Sequence, residues 1–433
     1  MREDLFVKAP SDVTVVGLGY VGLPLALAFA EELPTTGFDI DVSRVEQLLA
    51  GDDRNREIDS GLITSSNLTL TSDDSCVTDA DFIVVTVPTP VTEYNRPDLS
   101  LLESASAMIG RRLCGRKAGS SVPVIVYEST TYPGCTEEFC GPIIERESGL
   151  ISGEGFLLGY SPERTNFGDI DHTLETVVKV VSGQTDEAAH IVSEVYARIA
   201  KAGVHMAPNI KTAEASKVME NVQRDLNIAL FNESAIIFDR MGLDSSNVFD
   251  AAGTKWNFHQ YQPGLVGGHC IPVDPYYLTY AAEQVGYDAN VILAGRNVNE
   301  GMVERISERI LGLVDSRGKS PSDIDVLVLG QTFKGDVADF RNSKAVRLAD
   351  SLTESFKSVI TYDPFGEESD SNRDPFEGTA RYSVVVLAVG HSEFIGSVDA
   401  VARLVVSGGV MVDLTGSVDS SRMVDFDLLF WKL

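Results

Sequence analysis

The segment VTVVGLGYVGLPLALAFA, residues 13–30, decides the fold. Strand-forming VTVV runs straight into Gly17-x-Gly19-x-x-Gly22, and a helical pattern follows at once. Asp39 stands twenty residues after Gly19 and closes the next strand-like run, GFDI (37–40). Strand, tight glycine turn, helix and a later acid together form a dinucleotide-binding fingerprint. The glycines let the backbone approach a pyrophosphate, whose charge then sits at a helix N-terminus. Asp39 would accept hydrogen bonds from the adenosine ribose hydroxyls and repel a 2′-phosphate, which favours NAD over NADP.

Working outward, the chain to residue 208 alternates apolar runs with helical patterns. Its expected strands are 13–17, 37–40, 82–88, 122–129, 156–163 and 177–183. Such runs imply a parallel, doubly wound sheet covered on both faces. TVPTP (86–90) and ESTTYPG (128–134) follow strands at their C-terminal ends, where such sheets hold ligands. The candidate cofactor contacts are Gly17, Gly19, Tyr20, Val21, Gly22, Asp39, Arg44, Pro88, Thr89 and Thr130.

After Pro208 nothing breaks a helix from Ile210 to Met241, and Gly242 is placed to end it. At about 1.5 Å per residue this helix is roughly 45 Å long. It would join the two halves of the chain and bury a face against a partner subunit. From about residue 320, strand-like runs at 325–330, 359–364, 384–390 and 410–414 predict a second, smaller α/β sheet. The expected division is an NAD-binding Rossmann-like domain over 1–208, a central helical domain over 209–318, and a smaller α/β domain over 319–433. Its 433 residues are enough for such a plan.

Composition narrows the partners. Net charge is −29, and only 12 of the 35 basic residues are lysine. The acids are spread rather than blocked, which argues against nucleic acid and anionic membranes. Acid excess with little lysine is like that of a salt-accumulating halophile. Melting temperature is then expected to rise in molar KCl as self-repulsion is screened. No apolar run has membrane-spanning length and the first residues hold no signal core, so a cytoplasmic protein is expected. Five cysteines (76, 114, 135, 140, 270), without a CxxC pair or Cys/His spacing, argue against disulfides and a metal. Cys135 and Cys140 read as structural.

The fifth cysteine sits in GLVGGHCIPVDPYYL (264–278). Four further groups join Cys270 as candidates: Glu163 in GYSPERTN, Lys217 and Asn221 one helical turn apart in AEASKVMENVQRDLN, and Asp274. Beside an NAD site they fit one chemistry. A thiolate would capture an aldehyde, lose a second hydride and leave a thioester for water to cleave. Lys217 would provide the electropositive setting that a thiolate needs. Lys217 and Asn221 would hold the developing oxyanion, and Asp274 or Glu163 would orient water. His269 adjoins the thiol, but sequence neighbours point apart, and it is left out.

These motifs, in this order, resemble the nucleotide-sugar 6-dehydrogenases of the UDP-glucose/GDP-mannose dehydrogenase superfamily. The likeness runs through GLGYVGLPLA, VTVPTP, ESTTYPG, GYSPER, AEASKVMENVQRDLNIALFNE, AAGTKWNF, PGLVGGHCIPVDPYYL and TFKGDVADFRNSKA, nearly the whole chain. The resemblance implies a Rossmann NAD domain, a central helical dimer domain and a C-terminal UDP-binding domain. It implies that Cys270 is the nucleophile, supported by Lys217, Asn221, Asp274, Glu163 and Thr130. It places Glu163, Arg164, Lys217, Asn221, Arg224, Phe258, Gly264, Gly267, Lys334 and Arg341 at a UDP-sugar. Two basic groups in so acidic a chain suit a pyrophosphate.

GYSPERTNFGD and GGHCIPVDPYYL look most like the branch that oxidises UDP-N-acetylhexosamines. UDP-glucose members tend to carry a second acid four residues after the first, and the N-acetyl branch a proline; here Phe167 departs from both. The expected activity is NAD-dependent oxidation of UDP-GlcNAc or UDP-ManNAc to the uronate for surface glycan synthesis, by a homodimer or larger homo-oligomer. UDP-glucose oxidation is the alternative substrate reading. A one-hydride hydroxyacid dehydrogenase would need neither Cys270 nor residues 320–433. A non-catalytic NAD- or UDP-sugar-binding regulator would not need the reacting groups.

Overall fold

The computed structural model describes residues 9–55, 58–117, 119–165, 171–366 and 372–433. Phe167 lies outside them. The chain divides into two compact units, Met1–Glu220 with Tyr276–Asp288, and Asn221–Pro275 with Ala289–Leu433.

The first unit is built on β1 (Val13–Val16), β2 (Thr35–Phe38), β3 (Thr69–Thr71), β4 (Phe82–Val85), β5 (Val124–Tyr127), β6 (Leu157–Tyr160), β7 (Lys179–Gly183) and β8 (Val204–Met206). Their order is β3-β2-β1-β4-β5-β6-β7-β8. The first six follow the doubly wound order, with the switch point between β1 and β4. Neighbours are parallel except β6 and β7, which the expectation of an all-parallel sheet did not include. Alternate residues serve opposite faces: Phe82 and Val84 enter one core, Ile83 and Val85 the other. Burial on both faces is why these strands read as unbroken apolar runs. Cys135 and Cys140 lie in the second of these cores.

The second unit carries β9 (Asp325–Leu329), β10 (Ser358–Tyr362), β11 (Tyr382–Leu387), β12 (Val405–Asp413) and β13 (Leu428–Lys432). All pairings are parallel, in the order β10-β9-β11-β12-β13. The switch point here falls between β9 and β11, so the TFKGD loop after β9 and the turn carrying His391 after β11 meet at the ligand-holding end.

The long helix spans Ile210–Arg240, and the boundary between the units falls within it. Asn209 caps its start: the side-chain oxygen accepts from the Thr212 N–H at 2.9 Å. Gly242, at φ +71°, ends it. The Gly242 N–H reaches the Asp239 carbonyl at 3.0 Å and the Leu243 N–H reaches that of Phe238 at 2.9 Å. Those are the two bonds of a Schellman stop, whose left-handed residue favours glycine. No helix among the described residues is long and apolar enough to cross a membrane.

Candidate active site

The dinucleotide turn lies at the first unit's switch point. Gly17 adopts φ +97°, and its carbonyl accepts from the Thr86 hydroxyl at 2.7 Å. A Cβ on Gly22 would fall 1.8 Å from the Gly17 carbonyl oxygen and 2.4 Å from Thr86 Oγ1, so only glycine fits. A Cβ on Gly19 would meet nothing within 4 Å. That open cradle, at the start of the helix Gly22–Glu32, is where a pyrophosphate fits.

Two side chains fix this turn through Leu18. Asp39 accepts from the Leu18 N–H at 2.7 Å and, through its other oxygen, from the Asp41 N–H at 2.9 Å. Each oxygen retains a second acceptor position for a ribose hydroxyl. Arg44 is 1% exposed; its Nε donates to the Leu18 carbonyl at 2.9 Å and its guanidinium pairs with Asp53 at 2.8 Å. What Arg44 offers the cofactor end is the position of that carbonyl. Tyr20 and Val21 are half-buried, Pro88 is exposed and Thr89 half-buried. Tyr277, buried, pins this last turn by donating to the Thr89 carbonyl at 2.9 Å.

The ESTTYPG loop is held from beneath. Glu214, fully buried on the long helix, accepts from the Gly134 N–H at 2.5 Å, the Thr136 N–H at 2.9 Å, the Thr136 hydroxyl at 2.7 Å and the Thr131 hydroxyl at 3.2 Å. Burial pushes its pKa up to about 7 against these four donors. Thr130 sits half-buried on the loop so fixed. Lys217, three residues after Glu214, is buried at 8% exposure. Sequence reading missed Glu214, whose partners lie about eighty residues away.

Glu163 follows β6. Its Oε1 accepts from the N–H groups of Arg164 at 2.7 Å and Thr165 at 2.6 Å, and its Oε2 faces Lys179 at 3.4 Å. Burial alone would raise its pKa; the Lys179 ammonium, the Thr165 N–H and the Lys217 ammonium instead hold it down to about 2. Arg164 turns to the Val178 carbonyl at 2.8 Å and Glu220 at 2.9 Å.

In the second unit, Asn221 donates to Asp274 at 2.5 Å, and Asp274 is 2% exposed. Asp274 opens the helix Asp274–Gln284, where a negative charge is favoured. The Cys270 carbonyl accepts from the N–H groups of Val273 at 3.1 Å and Asp274 at 2.8 Å, and Cys270 itself is exposed. One turn thus carries thiol and carboxylate, and the carboxylate takes the Asn221 amide from the long helix. His269 turns to Asp339 at 3.3 Å and sets its ring edge-on to Phe333.

The cysteine loop lies against the TFKGDVADFRN segment. A Cβ on Gly267 would come 2.8 Å from the Asn342 carbonyl oxygen, and one on Gly268 would come 2.9 Å from the Phe333 ring. Asn342 also donates to the Gly268 carbonyl at 3.1 Å. The same segment presents Lys334 and Arg341, both exposed. Buried Asp339 holds the Arg341 guanidinium by two bonds, at 3.0 and 2.9 Å.

A polar network missed in the sequence fixes Gly264. Asn232 accepts from the Gly264 N–H at 2.7 Å and donates to its carbonyl at 3.1 Å. Behind it, Asn232 donates to Asn299 at 2.8 Å, Asn299 to Asp225 at 2.8 Å, and Arg296 to Asp225 at 2.6 Å. Phe258 packs on Phe231, and Arg224 is exposed. Glu163, Lys217 and Thr130 belong to the first unit; Asn221, Cys270, Asp274, Lys334 and Arg341 belong to the second.

Three family models match the chain in succession. They are the NAD binding domain of the UDP-glucose/GDP-mannose dehydrogenase family over residues 11–200, its central domain over 211–301 and its UDP binding domain over 327–420. The chain is 44% identical to the UDP-N-acetyl-D-glucosamine 6-dehydrogenase of Pseudomonas aeruginosa, over 95% of its own length and 98% of that protein. It is 42% identical to Protein CapL of Staphylococcus aureus, over 98% and 99%. Its structure is similar to that of the UDP-D-ManNAc dehydrogenase of Pyrococcus horikoshii, with a TM-score of 0.87 at 28% identity, covering 97% of this chain and 98% of that one.

Proposed function

The chain belongs to the UDP-glucose/GDP-mannose dehydrogenase family of NAD-dependent oxidoreductases, and from that premise we propose that it oxidises the C6 alcohol of a UDP-N-acetylhexosamine to the uronate. UDP-GlcNAc or UDP-ManNAc is the substrate, and the product serves surface glycan synthesis. The observation that carries this reading is the turn that presents an exposed Cys270 beside the Asn221–Asp274 pair, in a chain 44% identical to a UDP-GlcNAc 6-dehydrogenase.

NAD, when bound in the glycine cradle, supplies the hydride acceptor for each of two oxidations. The chain's own groups do the rest. Lys334 and Arg341 take the pyrophosphate of the UDP-sugar, and the Gly264 and Gly267 backbone borders the sugar. Lys217 and Asn221 stabilise the alkoxide as the proton of the C6 hydroxyl passes to water. Cys270 Sγ adds to the aldehyde carbon, giving a thiohemiacetal, and loss of the second hydride leaves a thioester. Asp274 or Glu163 aims the water that displaces the thiolate. The overall change is four electrons, from alcohol to carboxylate.

Met219, Leu230 and Ile237 are exposed and fall on one face of the long helix. That stripe is the surface on which a second copy would pack. Parallel assays with UDP-GlcNAc, UDP-ManNAc and UDP-glucose test the substrate. Preference for an N-acetylated sugar is expected; preference for UDP-glucose would move the chain to the other branch.

Substrate, cofactor and protein are all anionic, so long-range repulsion opposes binding and salt relieves it. KM for the UDP-sugar is therefore expected to hold steady or fall as KCl approaches molar levels. A steep, monotonic rise would contradict this.

A further inference from the structure

Lys179, the first residue of β7, is a lysine buried at 2% exposure. A buried ammonium needs charged partners. Its Nζ lies 2.7 Å from Glu128 Oε2 and 3.4 Å from Glu163 Oε2. Glu128, just past β5, is itself buried, and its Oε1 accepts from the Tyr196 hydroxyl at 2.5 Å. The Tyr196 ring also lies 5.6 Å from the ammonium, at cation–π range. Glu128 is thus occupied at both oxygens, while Lys179 has one side left for Glu163.

We propose that Lys179, anchored by Glu128 and Tyr196, is a positioning residue that keeps Glu163 an aimed carboxylate throughout the working pH range. The proposal rests on the reading of Glu163 as a group that acts on substrate or water. Lys179 draws Oε2 toward β7 while the Arg164 and Thr165 N–H groups draw Oε1, so the carboxylate has one orientation. The groups facing Glu163 are Lys179 from β7, Glu128 from the end of β5, Tyr196 from the helix Asp186–Tyr196 and Lys217 from the long helix. Two carboxylates share Lys179, so the trio carries a net negative charge and Glu163 is restrained without being fully neutralised. Burial pushes Glu128 up to about 6 with Lys179 pulling against it, so at neutral pH both carboxylates are ionised.

The sign follows. A carboxylate held low by a cation rises when the cation is removed, so protonation of Glu163 then enters the measurable range as a loss of activity on the acid side. The variants are Lys179→Arg, which keeps the cation, and the double variant Glu128→Gln with Lys179→Met, which removes the buried Lys179–Glu128 pair together and leaves Glu163 as the one charge of the trio. The measurement is kcat/KM for uronate formation between pH 4.5 and 9 at fixed KCl. The acid limb of the double variant is expected to move up by about 3–5 pH units and so into this window, while Lys179→Arg shows no limb there, as wild type. An equal fractional loss at every pH would overturn the proposal. If the double variant does not fold, Glu128→Gln alone decides. It leaves Lys179 wholly to Glu163, so its acid limb must not rise, and a rise overturns the proposal. Glu163→Gln separates the two readings. Native turnover in it removes the role given to Glu163, and the proposal with it. A tenfold or greater loss with an unshifted limb in the double variant removes only the part given to Lys179.

Discussion

Replacing Cys270 with serine is expected to end uronate formation, with a loss on the order of 10³-fold or more. The turn that holds position 270 is made by backbone groups: its carbonyl accepts from Val273 and Asp274, and neither bond uses the thiol. Serine therefore keeps the turn and the Asn221–Asp274 pair, and the loss is chemical. A hydroxyl is a far weaker nucleophile than a thiolate, so the aldehyde is not captured as the adduct from which a second hydride leaves. Uronate is measured by chromatography of the products, with the circular dichroism spectrum and melting temperature as controls for folding. Wild-type uronate formation by Cys270→Ser would remove the covalent route.

The second large effect is on stability. Asp225→Ala is expected to destabilise the second unit by about 1.5–3 kcal/mol, because it takes one of two carboxylates from a buried guanidinium and leaves Glu300 as the other. Arg296 is 1% exposed and donates to Asp225 at 2.6 Å; Asn299 loses a partner in the same step. The two tryptophans, Trp256 and Trp431, both lie in the second unit, so fluorescence in a urea titration reports that unit. The lesion also reaches Gly264, proposed above to border the sugar, since Asn299 supports Asn232 and Asn232 holds Gly264. KM for the UDP-sugar should rise with the loss of stability. An unfolding midpoint within error of wild type would show that the network carries little of the fold.

What the sequence disclosed depended on whether a feature is local. The Gly17–Gly22 turn, Asp39 and the long helix with its stop at Gly242 are written in adjacent residues. Strands buried on both faces, such as Phe82–Val85, announce themselves as apolar runs. Three strands escaped. Thr69–Thr71 and Val204–Met206 have three residues each, and Leu428–Lys432 is only half-buried. The reversal between β6 and β7 has no local signature.

Cys270, Asn221 and Asp274 were nameable because they are chemically distinctive and stand near other candidates, Asn221 one helical turn from Lys217 and Asp274 four residues after Cys270; the Asn221–Asp274 bond itself spans fifty-three positions. The buried charges that fix the surrounding loops and strands were not. Glu214 reaches Gly134 and Thr136, Lys179 reaches Glu128 across fifty-one positions, and Asp225 reaches Arg296 across seventy-one. Buried charges paired over such distances look, in a linear chain, like any solvated charge. Only the fold supplies the partner.

The central claim is that one chain carries an alcohol through two oxidations by way of Cys270. Its most direct test is the NADH formed per limiting UDP-GlcNAc, run to completion in molar KCl with UDP-ManNAc in parallel. Two NADH for each sugar consumed, with uronate as the product, is the expected result. One NADH for each sugar, with the aldehyde as the final product, would contradict it.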